Sequence, residues 1–245
     1  MDMLAQKESI IRKLQNEALS LQRRKGLTAE QIPDMGLGPL TSAFPGKVFP
    51  LGAVHELISD RSESAAATNG FLAALLGKLS NTGYCLWVSN KRTIFPSALK
   101  QFGIDPHRII FIDLRQQKDV LWAVEEALKC DILSAVVGEL SELSFTESRR
   151  LQLAVEQSGV TGFIHRHRPR SMNTVACVTR WKITPVAGNV EDNMPGVGFP
   201  LWNVELLKVR NGKPGTWDIE WRNGSFRHCT GDASALPGIQ VLKTG

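Results

Sequence analysis

The sequence lacks the features that would assign it to a membrane, secretory or zinc-ribbon class. No apolar run in its 245 residues approaches the roughly 18 residues of a membrane span. Its N-terminus does not have the basic-then-apolar order of a signal peptide. None of its four cysteines belongs to a C-x-x-C pair, which argues against a zinc ribbon or a thioredoxin-type site. We therefore expect a reduced, cytoplasmic protein with structural thiols.

A strong excess of one charge is also missing. Lys and Arg total 29 against 24 Asp and Glu, which gives a formal net charge of +5. This mild excess permits a nucleic-acid partner without requiring one. The hydrophobic share of 42% is close to the globular average, so a chain of this length can bury a full core.

The first 25 residues predict a helical arm, and residues 26–50 predict a linker. Apolar residues recur at steps of three, four and seven over residues 4–24, which places them on one helix face. The stripe is too short for a coiled coil, so the arm must dock on this core, on a second copy or on a partner. Eight Gly and Pro residues favour the linker. The predicted partner-facing residues are Ile11, Leu14, Ala18 and Leu21.

Residues 51–225 predict an α/β core. Nearly continuous apolar segments, such as residues 84–89 and 109–114, alternate with helical segments such as residues 64–79. This alternation is typical of a mostly parallel sheet that lies between helices.

The end of the core predicts an antiparallel hairpin. Residues 204–210 and 216–222 flank the turn sequence Asn-Gly-Lys-Pro-Gly, which suits a connection between two antiparallel strands. Residues 226–245 are polar and predict a tail.

The first strand-to-helix turn lacks a phosphate-binding loop. In a parallel α/β fold, a G-x-x-x-x-G-K-[ST] motif would lie at this turn, yet residues 58–67 contain no glycine. Asp60 and Glu63 bring negative charge to the start of the helix, where they can cap its N–H groups and repel a phosphate. We therefore expect a capped helix and no bound nucleotide or other cofactor.

Three segments carry a resemblance to a known family. Residues 50–57 follow the pattern P-L-G-x-x-H-E-L, residues 65–67 are all alanine, and residues 198–217 follow G-F-P-L-W-x-V-E-L-L-K-V-R-N-G-x-P-G-x-W. The order of elements resembles the RecA core, and the three segments resemble the ImuA family of RecA-like mutagenesis proteins. The resemblance covers roughly residues 50–222.

The resemblance implies a role in translesion synthesis during the SOS damage response. It implies two protein partners, RecA and ImuB, the latter an inactive relative of the Y-family polymerases. It also aligns Gly138 with the Walker B aspartate of RecA, and residues 88–91, which contain no acid, with the stretch that holds the catalytic glutamate. Glu139 follows one residue late, so it points to the opposite side of its strand. These absences predict a non-catalytic scaffold rather than an ATPase.

The basic segment at residues 163–182 is the remaining candidate contact surface. It contains no acid, and by resemblance it takes the place of the second DNA-binding loop of RecA. A solvated basic loop without a partner is an equally good interpretation. The sequence offers no obvious third metal ligand near His165 and His167, so no metal site is predicted. The candidates for contact with a partner or, weakly, with single-stranded DNA are Arg166, Arg168, Arg170, Arg180 and Lys182. The first three share one face if the strand continues.

A second interpretation belongs to another functional class. The chain is also compatible with a cell-division inhibitor resembling SulA, a RecA-like protein without a phosphate-binding loop, whose target would be FtsZ. The residues do not reveal an FtsZ-binding surface, so partner binding has to distinguish the two.

Overall fold

The computed structural model describes residues 34–80, 83–188 and 198–229. In these residues nine strands form one sheet in the order β3-β2-β4-β5-β1-β6-β7-β8-β9. Neighbours from β3 to β6 pair in parallel, and neighbours from β6 to β9 pair antiparallel. The predicted α/β fold, with a mostly parallel sheet and a C-terminal antiparallel region, is confirmed. The strands are β1 (Val54–Ser59), β2 (Tyr84–Ser89), β3 (Ile109–Asp113), β4 (Leu133–Leu140), β5 (Thr161–His167), β6 (Thr179–Val186), β7 (Leu201–Val209), β8 (Gly215–Arg222) and β9 (Ser225–His228).

Helices cover both faces of the sheet. Helix α1 packs on one face against the larger apolar cluster, and helices α2 and α3 pack on the other face around a second cluster. Almost every apolar side chain of α1 is buried, as expected for a helix that is apolar nearly all round. None of the described helices is both long enough and apolar enough to cross a bilayer. The helices are α1 (Ser62–Leu79), α2 (Gln117–Leu128) and α3 (Phe145–Ser158), with 3-10 helices at Gly38–Ala43, Pro45–Lys47, Pro96–Phe102 and Pro106–Arg108.

The segment before β1 differs from the predicted linker. From Asp34 onward it forms two 3-10 helices, each with proline in its first turn. Its apolar side chains join the same cluster as α1. The packed domain therefore includes residues 34–50 and does not begin at residue 51. The buried side chains of the segment are Met35, Leu37, Leu40, Ala43, Phe44 and Phe49.

The C-terminal boundary of the core differs from the predicted one, and the predicted N-terminal arm is not among the described residues. Strand β9 extends the sheet into the predicted tail, and Phe226 packs in the larger core cluster. The core therefore continues past residue 225. The predicted arm over residues 1–25, with its face of Ile11, Leu14, Ala18 and Leu21, lies outside the described residues.

His55 belongs to the core, as its apolar surroundings in the sequence suggest. Its ring is fully buried and stacks against both Phe49 and Phe163, at centroid distances of 4.6 and 5.3 Å. Nε2 lies 2.9 Å from the Pro50 carbonyl oxygen, which can only accept a hydrogen bond. Nδ1 is therefore unprotonated and accepts from the Thr179 hydroxyl at 2.7 Å. Burial lowers the pKa of His55 to about 4, although the bond to Pro50 opposes this change.

This buried imidazole predicts an acid-sensitive fold. His55 binds a proton near pH 6.5 in the unfolded chain and near pH 4 in the folded one. The unfolded state therefore binds more protons between these values, and stability falls as the pH drops through them. We expect the free energy of unfolding to decrease by about 2 kcal/mol from pH 7.5 to pH 5 because of this residue.

Urea unfolding at several pH values measures this effect. His55→Gln should be less stable than the wild type at pH 7.5 but should show a weaker pH dependence between pH 7.5 and pH 5. His107→Gln is the matched control, because His107 is exposed and should keep the wild-type profile. An unaltered pH dependence in His55→Gln would contradict the assignment.

Candidate functional site at the carboxyl edge of the parallel sheet

The carboxyl ends of the parallel strands open into a cleft beside α1. Its volume is about 680 Å³, and its walls come from the β1–α1 turn, α1, the segment after β2 and the end of β5. Open parallel sheets bind ligands at this edge. No acidic residue is among the described residues that line it. The polar side chains in the lining include Ser59, Arg61, Asn69, Lys91, His167 and Arg168.

The β1–α1 turn has no feature of a phosphate-binding loop beyond its position. None of its described residues has a positive φ, whereas a phosphate-binding loop uses glycines to aim several N–H groups at one point. Arg61 occupies the N-cap position in extended conformation and makes no side-chain capping bond. The expected acidic cap is therefore absent. Asp60 instead lies 3.6 Å from the Lys182 ammonium.

The two residues near the end of β4 point to opposite faces of the sheet. A Cβ atom at Gly138 would lie 2.6 Å from Val124 Cγ2 on α2, so this position has no room for an acidic side chain. Glu139 points to the α1 face, where it is 4% exposed. Its Oε1 accepts a hydrogen bond from Trp87 Nε1 at 2.8 Å.

Two histidines of β5 lie beside Glu139. His165 pairs in register with Glu139 of the neighbouring strand, and His167 follows two residues later on the same face. The two imidazole centroids are 3.8 Å apart, and His167 Nε2 lies 3.5 Å from Glu139 Oε2. One possible ligand atom from each of the three residues lies within 4.8 Å of the other two. A third potential donor, which the sequence alone did not reveal, therefore lies beside the two histidines.

His165 is held as a neutral imidazole between two polar side chains. It is fully buried, and its nitrogens lie 2.9 Å from Asn69 Oδ1 and 2.9 Å from Ser59 Oγ. Burial lowers the pKa of His165 well below its ordinary value, and the nearby His167 lowers it further. A neutral imidazole can accept a hydrogen bond or bind a metal ion.

The opposite face of the same strands carries a buried ion-pair network. Glu56 of β1 is fully buried, and its Oε1 accepts from Arg166 Nη1 at 2.7 Å. Its Oε2 accepts from Arg180 Nε at 2.5 Å. Arg166 has no exposed side-chain surface, and Arg180 has 13%. We correct the assignment of these two arginines, which bind an internal carboxylate and do not form a contact surface.

Arg168 and Arg170 are exposed, but they do not share a face with Arg166. β5 ends at His167, and Arg168 adopts φ 47°, so the strand alternation stops there. Arg168 Nη2 donates to Ser62 Oγ at 3.1 Å. The partly exposed Lys182 lies near Asp60. Three of the five predicted contact residues therefore remain at the surface.

The segment after β5 is tied to the core through backbone contacts. Glu142 accepts from Arg166 Nη2 at 3.2 Å and from the Arg170 N–H at 2.8 Å. Arg180 Nη2 donates to the Asn173 carbonyl at 2.6 Å, and Arg166 Nη2 donates to the Ser171 carbonyl at 3.3 Å. The acids that neutralise this segment thus come from β1 and from the loop after β4.

Removing the central carboxylate should destabilise the whole fold. Glu56→Gln removes the only acidic partner that the described residues give Arg180 and leaves Arg166 with the partly exposed Glu142 alone, so we expect a loss of about 3–5 kcal/mol in the free energy of unfolding. Arg170→Ala changes an exposed side chain and should alter it by less than about 0.5 kcal/mol. Urea unfolding of both variants at neutral pH gives the comparison. Similar stabilities for the two would show that the network is dispensable.

Fold and site together define a class of α/β protein: a parallel sheet with an antiparallel extension and a cationic cleft at the usual ligand-binding edge. The chain belongs to the ImuA family. It is 31% identical over 206 residues to Protein ImuA of two Caulobacter vibrioides strains (NA1000 / CB15N and ATCC 19089 / CIP 103742 / CB 15), covering 79% of this chain and 84% of each relative. This membership supports a role in the translesion mutagenesis system.

Weaker similarity connects the chain to a second group of proteins. It is 27% identical over 137 residues to the cell division inhibitor SulA of Serratia marcescens, covering 55% of this chain and 82% of the relative. For SulA of Yersinia pestis (strain Pestoides F) the identity is 29% over 116 residues, covering 47% of this chain and 68% of the relative. No protein-family model matches the chain.

Proposed function

We propose that the protein is a cytoplasmic, non-catalytic scaffold of translesion synthesis in the SOS response, with ImuB and RecA as partners. The observation that carries this proposal is the 31% identity to Protein ImuA over 84% of that protein's length. The scaffold presents binding surfaces and performs no reaction of its own.

The cleft supports the non-catalytic part of the proposal. Its turn has no glycine and no left-handed residue, so no nest of N–H groups forms for a phosphate. Gly138 leaves no space for a metal-binding acid on the α2 face of β4. Lys91 lies in the segment after β2, where the resemblance would require a catalytic acid.

The exposed basic residues support a partner surface at the end of β5. Arg168 and Arg170 project from a segment whose backbone is fixed by Glu142 and by the buried arginines. Arginine pairs with carboxylates as well as with phosphates. The segment between Phe163 and Trp181 contains no Phe, Tyr or Trp. It therefore offers none of these side chains for stacking on nucleic-acid bases, and we expect single-stranded DNA to bind weakly. The N-terminal arm is our second candidate contact, for RecA or for self-association.

The similarity to SulA favours one alternative function. A protein that inhibits cell division through FtsZ would need only a binding surface, as a scaffold does. The two proposals differ in partner and not in chemistry, so direct binding distinguishes them.

Capture by the immobilised full-length protein tests both proposals. We expect purified ImuB or RecA from the same species to be retained and FtsZ to pass through. The double variant Arg168→Ala/Arg170→Ala should weaken retention by roughly tenfold, as expected when charge-assisted contacts worth about 1.4 kcal/mol are lost.

The double variant Lys100→Ala/Arg108→Ala is the matched control. It removes the same charge from two exposed positions elsewhere on the molecule and should bind like the wild type. Retention of FtsZ alone would support the SulA-like function. Tight binding of single-stranded DNA at physiological salt, abolished by the first double variant, would make the protein a DNA-binding module instead.

Nucleotide binding is the most direct test of the non-catalytic assignment. We expect no rise in melting temperature when ATP and Mg²⁺ are added, because the turn offers no phosphate cradle. Ligand at a hundredfold excess over Kd would stabilise the fold by about 2.7 kcal/mol, so a functional site would be visible. Micromolar ATP binding, with or without turnover, would overturn the assignment.

A further inference from the structure

Glu139, His165 and His167 form a compact donor set beside the cleft, and we propose that they bind one divalent transition-metal ion of the zinc class. The proposal is independent of the partners proposed above. It rests on the convergence of three donors from two paired strands, on the side chains that orient them and on the position of His167 in the cleft lining.

The backbone already places the three donors together. Glu139 and His165 are register partners on adjacent parallel strands, and His167 repeats the orientation of His165 one pleat later. Their possible ligand atoms lie within 4.8 Å of one another. Ligands around a tetrahedral zinc ion are about 3.4 Å apart, so the donor atoms would have to approach one another by at most about 1.4 Å.

Outer hydrogen bonds prepare His165 to be a ligand. Asn69 Nδ2 donates to Thr93 Oγ1 at 3.2 Å, which fixes Asn69 Oδ1 towards the imidazole. Because that oxygen can only accept, His165 Nδ1 carries the proton and Nε2 keeps its lone pair. Ser59 Oγ donates to this lone pair at 2.9 Å, and a metal ion bound there would displace the hydroxyl by rotation of the Ser59 side chain. Second-layer partners of this kind are typical of metal-binding histidines.

The carboxylate is oriented in the same way. Trp87 Nε1 holds Glu139 Oε1 at 2.8 Å, which leaves Oε2 on the side of His167. His167 Nε2 is buried and has no hydrogen-bond partner within the described residues. Such an unsatisfied nitrogen is costly, and coordination to an ion would satisfy it.

The donor types select the kind of ion. Two imidazole nitrogens and one carboxylate suit zinc and its first-row neighbours, whereas Mg²⁺ and Ca²⁺ prefer oxygen ligands alone. Three protein ligands leave at least one position open. Of the three donors, His167 lines the cleft, so a further ligand would reach the ion from that side. The cationic Arg61, Lys91 and Arg168 in the same lining favour an anionic group or hydroxide as the further ligand.

Titration of the chelator-treated, full-length protein with Co²⁺ tests the proposal. We expect one ion per chain, visible d–d absorption bands from nitrogen and oxygen ligands, and displacement by Zn²⁺. His167→Ala and Glu139→Gln should each weaken the affinity at least 100-fold. Both should stay folded by circular dichroism, because His167 is partly exposed and glutamine can still accept from Trp87.

His107→Ala is the matched control, because it removes an exposed histidine outside the cleft and should leave the affinity unchanged. Absence of saturable Co²⁺ and Zn²⁺ binding by the wild type would overturn the proposal. So would undiminished binding by both cleft variants, or a thiolate-to-cobalt charge-transfer band, which would assign the ion to a cysteine. If one cleft variant does not fold, the affinity of the other decides.

Discussion

The carboxylate of Glu56 is the constraint on which the carboxyl edge of this sheet depends. It is fully buried, and its two oxygens bind arginines from the strands on either side, so one side chain joins β1, β5 and β6. A buried charge is tolerated only while it is paired and hydrogen-bonded. The same arginines hold the carbonyl oxygens of Ser171 and Asn173, so the segment after β5 is fixed by the core.

Strand alternation lets β5 serve this network and the candidate site together. Arg166 points to the α2 and α3 face, where it binds Glu56. Its neighbours His165 and His167 point to the α1 face, where they approach Glu139 and the cleft. One strand thus carries an arginine of the buried ion pairs on one face and two of the candidate ligands on the other.

Sequence patterns predicted the architecture better than the boundaries and the site. The apolar strand segments that alternate with helices, and the helix α1 that is apolar nearly all round, were sufficient to predict the fold class. A strand or helix that is buried on all sides needs apolar residues at nearly every position, and the sequence shows this directly. Residues 34–50 were misassigned because Gly and Pro also form tight 3-10 turns, and only packing showed that Phe44 and Phe49 are core. The segment 163–182 seemed basic because its neutralising acids, Glu56 and Glu142, lie far away in sequence. Glu139 joined the histidines only through the register of β4 and β5.

The proposed scaffold function requires a carboxyl edge that is ordered without a bound ligand. In a fold whose loops are ordered by a bound nucleotide, loss of the phosphate loop would leave the carboxyl edge without its organising ligand. Here ion pairs within the chain order the segment after β5, so Arg168 and Arg170 project from a fixed backbone whether or not the cleft is filled. A preorganised surface loses less conformational entropy on binding than a loop that must first be ordered. The buried arginines thus hold the proposed partner surface in one conformation whether the cleft is empty or filled.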